Sequence, residues 1–259
     1  MKGWCQKLPV VVNGKRYESE LSFKPFEPVV YETVRTYCRK LFMLQEHFRR
    51  LLNSAKLVGI EKVPDIENLK GLLEGLMEEI DGEVYYKIYL RPSGDIFVEY
   101  QKAPEDLVLA DLEFSEYRKS GIIPQQLKIV GRTDVLMARI YKKTYEVLML
   151  NPEGFLAEGS FSNVFLVKGQ SIVTPSLDTG ILSGITRETV IGISKRVGLE
   201  VVERKVLPWE IFESKEIFIT HTSRGIVPVR KVESFEFKAP GEITEKLLEA
   251  FRSFVMEGC

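Results

Sequence analysis

Histidine and cysteine are scarce in this chain, with two histidines and three cysteines among 259 residues. A Ser-His-Asp triad or a histidine-rich metal site would have to be built from His47 and His221 alone, and neither stands in an HExxH, GxSxG or P-loop pattern. No metal ligand set is therefore expected. Cys5, Cys38 and Cys259 are odd in number and follow no CxxC spacing, so neither a disulfide framework nor a zinc site is expected, and a cytoplasmic, reducing compartment fits. An excess of one charge is also missing. With 36 basic and 37 acidic side chains and a net charge of −1, the chain has no positive field for nucleic acid or an anionic membrane surface. Long apolar runs are absent as well: the opening MKGWCQKLPVVV is broken by Trp4, Gln6, Lys7 and Pro9, and nothing approaches a transmembrane length. These absences leave a small molecule as the expected partner, without nucleic acid or membrane.

The chain is 44% hydrophobic and 28% charged, enough to bury a sizeable core. Its first part alternates short β-rich runs with amphipathic helix. LQEHFRRLLNSAKLVG carries a helical stripe at Leu44, Phe48, Leu51, Leu52 and Ala55, while EVYYKIYLRP and DIFVEYQ read as strands joined at Ser93-Gly94-Asp95. The later part reads as an extended piece at QQLKIV, a helix from Thr133 to about Lys143, then strands EVLML, GFLAEG, NVFLV and SIVTP. A helix from about Ile185 to Val197, stopped by Gly198, precedes strand LEVVERKV, a short helix near WEIFES and strand EIFITH. Expected domains are a small α/β unit over 1–115, a linker over 116–125, and a larger unit over 126–259.

Two places bear on chemistry. Lys128 stands beside Leu127, Ile129 and Val130; it reads either as a strand lysine snorkelling to water or as a desolvated amine with nucleophilic character. In GILSGITRETV, Gly180 and Gly184 precede a helix, which makes either a routine glycine-broken loop or a set of backbone N–H groups aimed at an anion.

Together, LKIVGRTD, GFLAEGSFSNVFLV, TPSLDTGILSGITRETVI and FITHTSRGIVPV, in this order and spacing, resemble the class IV aminotransferases, the fold-type IV pyridoxal-phosphate enzymes. The resemblance implies an α+β, two-domain fold with a small N-terminal α/β domain and a larger C-terminal mixed-sheet domain. It implies pyridoxal 5'-phosphate as cofactor, an amino acid and a 2-oxo acid as small-molecule partners, and a homodimer. Lys128 then matches the Schiff-base lysine and proton shuttle, and Glu158 the carboxylate that pairs with the cofactor's ring nitrogen. Around the ring the match places Ser162 and Asn163; on the phosphate, Arg50, Gly184, Ile185, Thr186 and Thr222; and beside the lysine, Arg132. Tyr89 and Arg91, with the turn Thr222-Ser223-Arg224, fall where the family selects substrate carboxylates, and Tyr31 and Arg35 fall where it has F-E-G-x-R, which implies that they line the pocket from the small domain. Two departures bear on the substrate: Thr133 replaces a tyrosine that branched-chain enzymes carry, and the stretch before the small-domain motif reads SFKPFEPVVYE. Amino transfer with a branched-chain-like amino acid is the leading expectation. Aminodeoxychorismate lyase, which releases pyruvate and 4-aminobenzoate, is the alternative favoured by Arg132, and a silent cofactor-binding member is a third.

Overall fold

In the computed structural model, residues 27–257 are described in full, together with the backbone of 9–12 and 15–18. The described residues divide into two compact units, one of those up to 104 with 127–130, the other of 105–126 and 131–257.

The first unit holds β1 (Pro9–Val12), β2 (Lys15–Glu18), β3 (Val30–Tyr37), β4 (Lys40–Leu41), α1 (Leu44–Leu57), α2 (Ile66–Met77), β5 (Val84–Leu90) and β6 (Ile96–Lys102). Its strands form an antiparallel sheet in the order β2-β1-β6-β5-β3-β4. Period-two alternation in β5 buries Val84, Tyr86, Ile88 and Leu90 and leaves the intervening residues half-buried. Val34 and Val98 add to that apolar face, and Leu69, Leu73 and Leu76 of α2 cover it. Asp65 caps α2 by accepting from the N–H groups of Glu67 and Asn68. The Ser93-Gly94-Asp95 turn joins β5 to β6 as expected, with Gly94 at φ +87°.

The second unit holds β7 (Ala110–Phe114), α3 (Thr133–Arg139), β8 (Glu146–Leu150), β9 (Leu156–Gly159), β10 (Asn163–Lys168) and β11 (Ser171–Pro175). It continues with α4 (Ile185–Arg196), β12 (Glu200–Arg204), β13 (Glu216–His221), β14 (Gly225–Val232), β15 (Phe235–Glu236) and α5 (Glu242–Glu257). The strand order is β12-β11-β10-β13-β14-β7-β8-β9, with β15 against β14. Hairpin neighbours run antiparallel; β11 and β12, and β7 and β8, run parallel because a helix-bearing crossover joins each pair. Val164, Leu166, Ile217, Ile219, Val227 and Val229 share one buried cluster, while Phe165 and Phe218 stack on the opposite face with ring centres 4.8 Å apart.

Two elements differ from the sequence expectation. QQLKIV forms no strand; only Ile129 makes an isolated bridge, to Val30. The helix expected to reach Lys143 ends at Arg139, since Ile140 is extended and Tyr141 takes φ +65° as the chain turns toward β8. Cys38 is disulfide-bonded, whereas the odd number and the spacing of the cysteines suggested no disulfide framework. Cys5 and Cys259 lie outside the described residues, as do residues 22–26 at the start of SFKPFEPVVYE.

Candidate active site

In the first unit the backbone of Lys128 is held from two sides. Its carbonyl accepts from Tyr31 N–H at 3.1 Å, and its own N–H donates to Ser54 Oγ of α1 at 3.1 Å. The lysine Nζ then lies 4.9 Å from the centre of the Tyr31 ring, a cation–π approach. Tyr31 and Tyr89 are register partners on β3 and β5, and their rings stack with centres 6.1 Å apart. Lys128, Tyr31 and Tyr89 are thus brought together. The Tyr89 hydroxyl donates to Glu99 at 3.0 Å, and burial, with Glu99 beside it, raises its pKa so that it stays a neutral phenol.

Beneath this group, α1 presents His47, Arg50 and Ser54 at helical spacing. Arg50 forks onto Glu32 of β3, Nε to Oε1 at 2.6 Å and Nη2 to Oε2 at 2.8 Å, while His47 Nδ1 lies 3.0 Å from the same carboxylate. Burial would raise the Glu32 carboxyl, yet the Arg50 charge and the hydrogen bonds from Arg50 and His47 outweigh it and hold the group well below the usual carboxylate range. Burial also pushes the His47 imidazole down from its ordinary value of 6.5, which leaves it neutral. Sequence reading missed both Glu32 and His47, although His47 three residues before Arg50 was a usable sign.

Arg35 and Arg91 each have a partner of their own. Arg35 is buried four residues along β3 from Tyr31, its guanidinium 4.2 Å from the Tyr37 ring centre. Arg91 grips Glu27 with its fork, Nε to Oε1 at 3.1 Å and Nη2 to Oε2 at 2.7 Å; the group expected to bind a carboxylate holds an internal one.

In the second unit Glu158 is the last residue but one of β9 and is 8% exposed. One carboxylate oxygen meets Lys119 Nζ; the other accepts from Asn163 Nδ2 and from Leu182 N–H, both at 3.0 Å. Asn163 Nδ2 also donates to Leu182 O, so the start of β10 and the loop before α4 are pinned to the same carboxylate. Gly184 opens α4 against this cluster, and a Cβ there would lie 2.0 Å from Asn163 Oδ1. No side chain caps α4 among the described residues, which leaves the N–H groups around Ile185 and Thr186 available to an anion.

The turn after Glu158 is set by a residue that motif reading overlooked. Glu146, at the start of β8, accepts from Ser160 N–H at 3.0 Å, Phe161 N–H at 3.0 Å, Ser162 Oγ at 2.8 Å and the Ser160 hydroxyl. The Ser162 hydroxyl is therefore turned to Glu146. A Cβ on Gly159 would sit 2.2 Å from Ser162 Oγ and 2.8 Å from Glu146; only glycine lets the two approach. Arg132 forks onto Asp134 at the start of α3. Burial would raise the Asp134 carboxyl, but Arg132 and the Ser120 and Val135 N–H groups bring it below its ordinary value. Thr222, Ser223 and Arg224 form the turn between β13 and β14. There Ser223 Oγ lies 2.8 Å from His221 Nδ1, and Arg224 Nη1 donates to Asp106 O at 2.6 Å. The other His221 nitrogen lies 2.9 Å from the Tyr145 hydroxyl.

Residues 29–232 match the family profile described as amino-transferase class IV. The chain is 40% identical over 251 residues to a Thermotoga maritima protein named "Probable branched-chain-amino-acid aminotransferase", covering 92% of each. A Thermotoga maritima crystal structure given the provisional name branched-chain amino acid aminotransferase superposes with a TM-score of 0.90 at 37% identity over 96% of both chains. The PLP-form of the Thermobaculum terrenum branched-chain amino acid aminotransferase superposes with a TM-score of 0.85 at 26% identity, over 96% of this chain and 95% of that one.

Proposed function

The chain belongs to the class IV aminotransferase family, and we propose that it moves an amino group between a branched-chain amino acid and a 2-oxo acid, using pyridoxal 5'-phosphate held by Lys128. The observation that carries the substrate class is the 40% identity, over nearly the full length, to a relative of that name. The donor set fits the cofactor on three separate counts. Glu158 is a buried carboxylate suited to a cationic ring nitrogen; the start of α4 has unclaimed N–H groups suited to a phosphate; and Gly184 keeps that start clear of a side chain. Bound pyridoxal phosphate supplies an electron sink for negative charge at the substrate's α-carbon.

The protein's part follows from its own groups. The Lys128 amine is the covalent anchor and, once released, the base and acid for the α-proton. Glu158 holds the ring nitrogen in its protonated form, and Asn163 with the Leu182 N–H keeps that carboxylate from turning. Arg50, braced by Glu32, and the N–H groups of Ile185 and Thr186 with Thr222 bind the phosphate, while Ser162 and Arg132 flank the cofactor. Tyr31 and Tyr89 present an aromatic wall to an apolar side chain, and the Thr222-Ser223-Arg224 turn offers donors to the substrate carboxylate. Arg35 and Arg91 act at the margin of that pocket, Arg91 only if a substrate displaces Glu27. The enzyme works as a homodimer of cytoplasmic location, a state that sedimentation of the purified protein at assay concentration tests directly.

Single-turnover mixing of the loaded enzyme with L-leucine, L-valine, L-isoleucine, L-glutamate and D-alanine tests the reading, followed by the absorption change to the pyridoxamine form. Rapid conversion with the branched L-amino acids is expected. Pyruvate release from aminodeoxychorismate with no conversion by any of them would overturn it in favour of the lyase.

A further inference from the structure

Glu158 does not wait alone for a ring nitrogen. Lys119, 5% exposed, is the cation that meets it among the described residues, and both side chains are withdrawn from water. The lysine is placed with care: after β7 the chain runs beside β8, where Ser115 N–H donates to Leu148 O and Lys119 N–H to Leu150 O, both at 2.8 Å. Ser120 N–H then donates to Asp134 Oδ2 at 2.8 Å. These bonds aim Lys119 across β8 at the end of β9. A carboxylate this deep has given up its hydration, which Asn163 and the Leu182 N–H replace in part, and the Lys119 ammonium adds a charge-assisted partner on the other oxygen.

We propose that Lys119 is a positioning residue for the reaction: it is the resident counter-ion that keeps Glu158 an oriented anion for a cationic ring nitrogen, and it then shares that carboxylate with the ring. The inference rests on the reading of Glu158 given above. Lys119 and a protonated ring nitrogen are like charges on one acceptor. Removing the ammonium therefore leaves an uncompensated buried anion in the empty protein, and makes that protein depend more strongly on the ring nitrogen of whatever fills the site.

The test compares pyridoxal phosphate with its 1-deaza analogue, in which carbon replaces the ring nitrogen, by equilibrium affinity and thermal unfolding of the wild type, Lys119→Met, Lys119→Arg and Glu158→Gln. Cofactor-free Lys119→Met is expected to melt below the wild type, and pyridoxal phosphate is expected to close that gap while the deaza analogue does not. The affinity ratio of the two ligands should widen by about tenfold, the equivalent of one pK unit of charge interaction, and Lys119→Arg should restore it. An unchanged ratio in Lys119→Met overturns the inference if Glu158→Gln collapses the ratio; if Glu158→Gln also leaves it unchanged, the reading of Glu158 itself fails. Should Lys119→Met not fold, the double variant Lys119→Met with Glu158→Gln decides: a folded double variant supports a charge role. An unfolded one shows that the lysine stem serves packing, and overturns the proposal.

Discussion

At the residue scale, the proposed chemistry rests on a few side chains, and a second set holds them in place. Lys128→Ala should abolish covalent attachment of the cofactor, and borohydride reduction followed by peptide mapping of the wild type should label Lys128 and no other lysine. Glu158→Gln should leave the cofactor bound and slow α-proton removal about a thousandfold, or about 4 kcal/mol; unchanged single-turnover rates would contradict its role. Arg91 has a partner that motif reading did not foresee. YLRP was visible, but the carboxylate in its fork belongs to Glu27, sixty-four residues away in sequence. Arg91→Ala is accordingly expected to lower unfolding free energy by about 1–3 kcal/mol, through the half-buried Glu27 left without its partner. A raised KM for the 2-oxo acid with unchanged stability would instead make Arg91 a substrate ligand.

At the element scale, strands and helices with strong periodicity were legible. α1, β5, β6, β10, β13 and the helix stopped by Gly198 all stand where apolar spacing placed them. The motifs carrying Lys128 and Glu158 were legible too, because their residue types and order are unusual together. Their charged partners were not. In the second unit Lys119 meets Glu158 and Glu146 holds the turn after it, and in the first unit Glu32 meets Arg50, all through strand register and loop path, which a linear pattern does not encode; QQLKIV looked like a strand though a single bridge holds it. The turn between β9 and β10 gives an element-scale test. Glu146→Gln keeps the shape but places an amide N–H against the N–H and hydroxyl donors of residues 160–162. Loss of about 2–3 kcal/mol in urea unfolding is expected, with weaker cofactor binding because Glu158 adjoins that turn. Gly184→Ala should likewise weaken cofactor binding, since its methyl would displace Asn163; wild-type affinity in this variant would show that Asn163 yields without consequence.

At the scale of the whole molecule, the buried Glu32, His47 and Arg50 group makes stability depend on acid. Both titrating groups bind fewer protons folded than unfolded, so their stabilisation is complete near neutral pH and lost as pH falls. The loss begins below the ordinary histidine value of 6.5 and deepens below the ordinary glutamate value of 4.5. Urea midpoints should therefore decline from about pH 7.5 to about pH 5, and His47→Asn should flatten that first decline; a wild-type midpoint that holds constant across the range would contradict the linkage. The division of the chain has a further consequence. Residues 127–130 are grouped with the residues up to 104, while the segments on either side of them belong to the other unit, so among the described residues the chain crosses from unit to unit three times rather than once. A protease nick anywhere in 105–126 would sever the backbone without releasing either unit as a whole, because the downstream fragment still contributes a backbone thread hydrogen-bonded to Val29 and Tyr31. A gene truncated after residue 104 would encode the first sheet without the thread that bears the lysine, and supplying the remainder as a separate polypeptide is the natural route to recovering it.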